Sequence, residues 1–270
     1  MQYKWIVLSN TTLGTLMASL DTNIVLIALP TISRELRATS FFDLLWVLLG
    51  YQLVNGSLLV NFGRLSDMFG RVRLYTFGFA IFTVASALAS LSQTGEQLIA
   101  FRLMQGVGSA FLFSNSGAII TDAFPENERG KALGINQVSI VIGTLMGLVL
   151  GGILTGVAGW QSIFYVNIPI GIFATLWSHY KLKELGEIKK GQKIDVLGNL
   201  TFAGGLAAVL AAITLDAVSL LALDQFVLLF GTGVALLASF VFIEQRVKEP
   251  MLETMSPEVA KNLGPCLSER

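Results

Sequence analysis

The sequence predicts an all-α membrane protein that crosses the bilayer eight times, on three observations: scarce charge, recurrent apolar stretches of membrane length, and one-sided basic loops. Charged residues make up 13% of the 270 and hydrophobic residues 53%, against about 25% and about 45–50% in soluble domains. A soluble fold coats its surface with charge, whereas a bilayer-embedded one excludes charge from its lipid-facing stripe. Mean hydropathy is +0.69. A helix needs about 20 mostly apolar residues to cross about 30 Å of hydrocarbon. Eight stretches qualify: 5–29, 44–62, 74–91, 97–120, 132–155, 163–180, 196–215 and 226–243.

Span 1 follows a single lysine, Lys4, and runs for about 25 residues, longer than the roughly 7–15-residue core of a signal peptide. With Asp21 inside it, it reads as a retained first span. Spans 2 and 3 flank GRLSDMFGRVRL at 63–74, where Gly63 and Gly70 allow a tight turn, Asp67 caps or pairs, and Arg71 and Arg73 sit at headgroup level. Span 4 holds Arg102. Span 5 repeats glycine every four residues at Gly143, Gly147 and Gly151, with Gly152 beside them. That face suits close helix packing, and a gating role fits it equally. Span 6 ends in WSHYKLK, where His179 lies between Trp177 and Tyr180 as part of an aromatic belt. The charged connection KLKELGEIKKGQKID at 181–195 then separates six spans from a final pair. The predicted domains are a six-span bundle at 1–182, a cytoplasmic linker at 183–195, two further spans at 196–245 and a tail at 246–270.

Loop charge fixes the orientation. With the amino terminus in the cytoplasm, 15 of the 18 Lys and Arg residues fall inside. Arg34 and Arg37 fall outside, and Arg102 lies within a span. Both termini are therefore expected in the cytoplasm, by the positive-inside rule, and the lipid bilayer is the first partner. Net charge is zero, so no basic field points to nucleic acid. One cysteine, Cys266, and one histidine make neither an internal disulfide nor a structural zinc site. H-E-x-x-H, G-x-S-x-G and the phosphate loop are all missing from the sequence, so neither an enzyme nor a nucleotide-driven pump is expected.

Asp21 and Arg102 stand out among the membrane-depth residues. Counted at about 1.5 Å per residue from the span ends, both lie about 8 Å below the outer face. A buried ion needs a partner, so the two are expected to be neighbours or to share a watery cavity. A static salt bridge fits this placement, as does a protonation switch in which Asp21 takes up a proton and loosens its hold on Arg102. Asn23 and Gln105 lie near this pair in sequence and, with Phe111 and Phe113, are candidates for a substrate cavity. Amide bonding across helices and plain aromatic packing are the competing roles.

The loop pattern G-x-L-x-D-x-x-G-R at 63–71 resembles that of the major facilitator superfamily. LDTNIVLIALP in span 1, RLMQGVGSA in span 4, GTLMGLVLGG in span 5, WQSIFYVNIPIG at the start of span 6 and EQRVKEPML after span 8 are similar to its fourteen-span drug/proton antiporter branch. The resemblance covers about residues 20–252, six patterns in the family's order. It implies a six-helix bundle of two inverted three-helix repeats plus two linker helices, corresponding to the amino-terminal portion of such a transporter. It further implies proton-coupled export of small amphipathic or drug-like molecules, with no cofactor beyond the proton gradient. Asp21 and Arg102 match the proton-linked acid and the motif arginine, and Gly63, Asp67, Gly70 and Arg71 match the gating loop.

The departures bear on that expectation. Leu148 replaces the proline of the span 5 pattern, and Gln161 and Ser162 replace an Arg-Trp pair. Loss of the proline removes a kink and bears on strict antiport coupling. Alternating access needs two bundles, and one is expected here. A homodimer, a separate second transporter half or a truncated product accounts for that equally. A non-transporting remnant or assembly partner is the alternative function. Nothing in the sequence identifies the substrate.

Overall fold

The computed structural model describes residues 2–36, 41–186, 196–217 and 221–244. The linker residues 187–195, with Lys189, Lys190 and Lys193, and the segment 245–270, with the EQRVKEPML pattern after its Glu244 and with Cys266, lie outside the described residues. So does Arg37.

Among the described residues the chain is helical throughout: α1 Tyr3–Glu35, α2 Phe41–Phe69, α3 Arg71–Ser90, α4 Gly95–Ala123, α5 Glu126–Ala158, α6 Ser162–Tyr165, α7 Asn167–Lys181, α8 Val196–Ala217 and α9 Leu223–Glu244. Each predicted span is matched by a helix, α6 and α7 together making the sixth. Five helices, α1, α2, α3, α5 and α9, are long and apolar enough by length and composition to cross a membrane. Two of the other positions depart for local reasons: α4 carries Arg102, Gln105 and Asn115 on its buried side, and span 6 is divided between α6 and α7. α8 is 22 residues long, and Leu200–Asp216 within it is apolar.

Span 6 is broken at Val166. Pro169 has no N–H, and its ring would clash with the carbonyl of Tyr165, four residues earlier. α6 ends at Tyr165, and Pro169 falls in the first turn of α7, where an N–H would have no helical partner. Elsewhere the helices outrun the predicted spans. α1 continues past Pro30 to Glu35, at the cost of one backbone hydrogen bond. Thr94 caps α4 by accepting from the Gln97 N–H at 3.3 Å, and α5 opens on Glu126 and Glu128, acids suited to a helix start.

Contacts divide the chain into two units, Met1–Ile188 and Lys189–Arg270. In the first, α1 packs mainly on α5, α2 on α4, and α3 on both α4 and α7. Exchanging each span with the one three places later maps the first pair onto the second and returns α3–α7 to itself. Inverted repeats of three spans produce that pairing. α5 has two faces. Val141, Leu145, Val149 and Ile153 are exposed as an apolar stripe, while Gly143, Gly147 and Gly151 are buried against α1. In the second unit, α8 and α9 cross at Gly205 and Gly233, where a Cβ on either would lie 3.0 Å from the other's carbonyl oxygen.

The interior of the first unit holds two apolar clusters. One gathers Met17, Tyr51, Tyr75, Phe79, Phe82 and Leu112. The other gathers Leu20, Ile24, Val47, Leu98, Trp160 and Phe164. On α3 the membership changes between Phe82 and Ala89, on α4 between Leu98 and Leu112, and across α6–α7 between Phe164 and Ala174. Buried polar residues occupy those gaps: Ser86, Arg102, Gln105 and Asn167.

Candidate functional site

Those gap residues converge on Asp21. Its Oδ2 pairs with Arg102 Nη1 at 2.5 Å, and both side chains are fully buried. Its Oδ1 accepts from Asn167 Nδ2 at 2.7 Å and from Gln105 Nε2 at 3.2 Å. Gln105 also accepts from Arg102 Nη1 at 2.8 Å and donates to Ser86 Oγ at 2.7 Å. Arg102 Nε donates to the Val47 carbonyl at 3.0 Å, and its guanidinium lies 4.3 Å from the Tyr51 ring centroid. Tyr51 is held in turn by Ser109 Oγ at 2.7 Å.

An unpaired ion at this depth would cost several kcal/mol. Here the charges neutralise each other, and amides from α4 and α7 occupy the second carboxylate oxygen. Arg102 Nη2 and Asn167 Oδ1 nevertheless have no hydrogen-bond partner among the described residues. Around the carboxylate the network is complete, and around the arginine it is incomplete.

The equal depth expected of Asp21 and Arg102 matches their contact. Of the four cavity candidates, Gln105 belongs to this network and has no exposed surface. Asn23 instead donates to the Ser19 carbonyl of its own helix at 2.9 Å. Phe111 is buried and stacked on Phe62, with centroids 3.8 Å apart. Phe113 lines a cavity of about 530 Å³ between α1, α2, α4 and α5. Thr15, Asn55, Ser116, Asn136 and Gln137 share its wall with aliphatic Leu59, Leu133 and Ile140. Asn167, Ser86 and Tyr51 were missed as site residues. Asn167 sits in the quoted VNIPIG pattern, a signal that marked its position, whereas Ser86 had none.

The 63–74 segment differs from the expected turn. α2 stays helical through Gly63 and Asp67 to Phe69, because LSDMF contains no helix breaker, and the only reversal is Gly70 at φ 106°. Arg71 Nε pairs with Asp67 at 2.8 Å, and its Nη1 reaches both oxygens of Asp122 at 2.8 Å. Glu184 accepts from the backbone N–H groups of Arg71 and Val72 at 2.8 and 3.0 Å, closing the amino-terminal end of α3. Tyr3 holds the same segment through the Lys183 N–H, at 2.7 Å.

The glycine face of α5 is a packing seam. A Cβ at Gly143, Gly147 or Gly151 would lie 2.6, 2.5 or 3.0 Å from a backbone carbonyl oxygen of α1. Gly152 does not belong to it, since its nearest neighbour would be Ile27 Cγ2 at 4.0 Å. α5 runs unbroken through Leu148.

The chain is 40% identical over 212 residues to the riboflavin transporter RibZ of Clostridioides difficile (strain 630), covering 78% of this chain and 46% of that protein. It is 34% identical over 245 residues to multidrug resistance protein 3 of Bacillus subtilis (strain 168), covering 89% and 46%. The chain thus spans about half the length of these curated relatives. In fold it is similar to a bacterial homologue of the human lysosomal transporter Spinster in an inward-facing, occupied conformation, with a TM-score of 0.61 at 20% identity over 96% of this chain and 63% of that one. The family model described as Major Facilitator Superfamily matches residues 11–243; the chain belongs to that superfamily.

Proposed function

We propose that this chain forms the proton-coupling half of an exporter of small amphipathic or drug-like molecules, resident in the cytoplasmic membrane with both ends inside. The buried Asp21–Arg102 pair is the observation that carries this reading. A fully buried, hydrogen-bonded ion pair is a poor way to gain stability, whereas a carboxylate whose neutralisation frees a buried guanidinium is an effective bias on a conformational equilibrium. Proton uptake at Asp21 leaves Arg102 without its counter-charge, so the bundle favours the arrangement that rehydrates the guanidinium. Return of the proton to the other side resets it.

Rocking transport needs a second bundle, supplied by a second copy or by a separate half. The relatives' names, a riboflavin transporter and a multidrug resistance protein, support small organic solutes as cargo. One observation favours the competing reading of a non-transporting membrane partner: α5 is unbroken at Leu148, where the resembling branch has proline.

The test is efflux of a fluorescent amphipathic probe from vesicles carrying the chain under an imposed proton gradient. Gradient-driven efflux that Asp21→Asn abolishes, while the protein still inserts, supports the proposal. Efflux unchanged in Asp21→Asn removes Asp21 from coupling, and no efflux in any assembly state favours the non-transporting partner.

A further inference from the structure

The cavity between α1, α2, α4 and α5 is lined by apolar and polar side chains, none of them charged among the described residues. Among the described residues its polar wall consists of three carboxamides, Asn55, Asn136 and Gln137, and two hydroxyls, Thr15 and Ser116, with Phe113 as its aromatic ring. Asp21 is not part of this wall, being fully buried against Arg102. Asn136 Oδ1 accepts from Thr15 Oγ1 at 3.1 Å and from Ser116 Oγ at 3.3 Å. Its Nδ2 is left as a donor with no partner among the described residues.

We propose that this half-cavity recognises an uncharged, planar solute that both donates and accepts hydrogen bonds, and that it discriminates against organic cations. The inference rests on reading this cavity as the substrate site. A cation entering it sheds water without meeting a carboxylate, and a single phenylalanine ring is weak compensation. A neutral ring solute gives up only hydrogen bonds that the amides and hydroxyls return, and its face packs on Phe113.

The experiment uses the full 270-residue chain in phosphatidylcholine nanodiscs and two fluorescent probes with one tricyclic skeleton. Acridone is neutral, with one N–H and one carbonyl; 9-aminoacridine is a cation at neutral pH. Titrations corrected with empty nanodiscs are expected to show saturable acridone binding about tenfold tighter or more than that of 9-aminoacridine. Gln137→Glu adds a carboxylate at an exposed wall position with little change in size, and is expected to narrow or reverse the ratio. Binding of 9-aminoacridine to the unaltered chain as tightly as acridone overturns the neutral-solute inference and leaves the cavity reading standing. A ratio unmoved by Gln137→Glu overturns the assignment to this wall. No saturable binding of either probe overturns the cavity reading and the inference with it.

Discussion

Gly147 packs so closely on α1 that a Cβ there would lie 2.5 Å from the carbonyl oxygen of Leu20, the residue before Asp21. The α5 seam therefore presses on the backbone that positions the buried carboxylate. Helix packing and the buried ion pair share one stretch of chain.

Gly147→Val should overpack that contact. The expected cost is about 1–3 kcal/mol, read as lowered thermal stability of the detergent-solubilised protein. Gly152→Val, on the open side of the same helix, should stay within about 0.5 kcal/mol. Equal losses at the two positions would show that the seam is not where α5 meets α1.

The buried ion pair should behave as a unit. Arg102→Leu alone leaves Asp21 without its counter-charge, at a cost of about 3–5 kcal/mol. The double variant Asp21→Asn, Arg102→Leu should lose clearly less than the sum of its single changes, measured by denaturation in micelles. Additive losses would mean that the 2.5 Å contact carries little of the stability.

Asn167→Leu removes the 2.7 Å donor to Asp21 Oδ1 and should cost about 1–3 kcal/mol. Under the proposed function, gradient-driven efflux should fall as well. Asn23→Leu is the comparison, because Asn23 bonds only within α1, and its expected cost is below about 1 kcal/mol.

Glu184→Ala strips the acceptor from two backbone N–H groups at the start of α3. A loss of about 1 kcal/mol follows by analogy with helix caps. The held segment includes exposed Lys181 and Lys183, so limited trypsin digestion should cut there faster in the variant. An unchanged digestion rate would assign the hold to Tyr3 instead.

Much of the bundle was legible because hydropathy and loop charge report on different constraints and gave the same count. The pairing of Asp21 with Arg102 was legible too, since helix rise is constant and an ion in hydrocarbon needs company. Asn167 was not, because an asparagine in a membrane span has many ways to satisfy its amide, and only the fold brings it across 146 positions to Asp21. Ser86 was hidden for the same reason. Gly63 misled because glycine marks a turn only when the surrounding residues resist helix, and those around it do not. Pro169 held the break in span 6, a local effect that a hydropathy average over some twenty residues cannot register.

Asp21 and Arg102 stand 81 positions apart in the chain, which bears on how the protein is made. At about 5–20 residues per second, a ribosome takes about 4–16 s to travel from one to the other. For that interval α1 has an acid at membrane depth with no counter-ion, a burden of about 2.5–3.5 kcal/mol on insertion scales. Asp21 therefore gains its counter-ion only when α4 arrives. Substitutions that weaken the apolar flanks of α1 should lower the yield of inserted protein before they alter its finished structure.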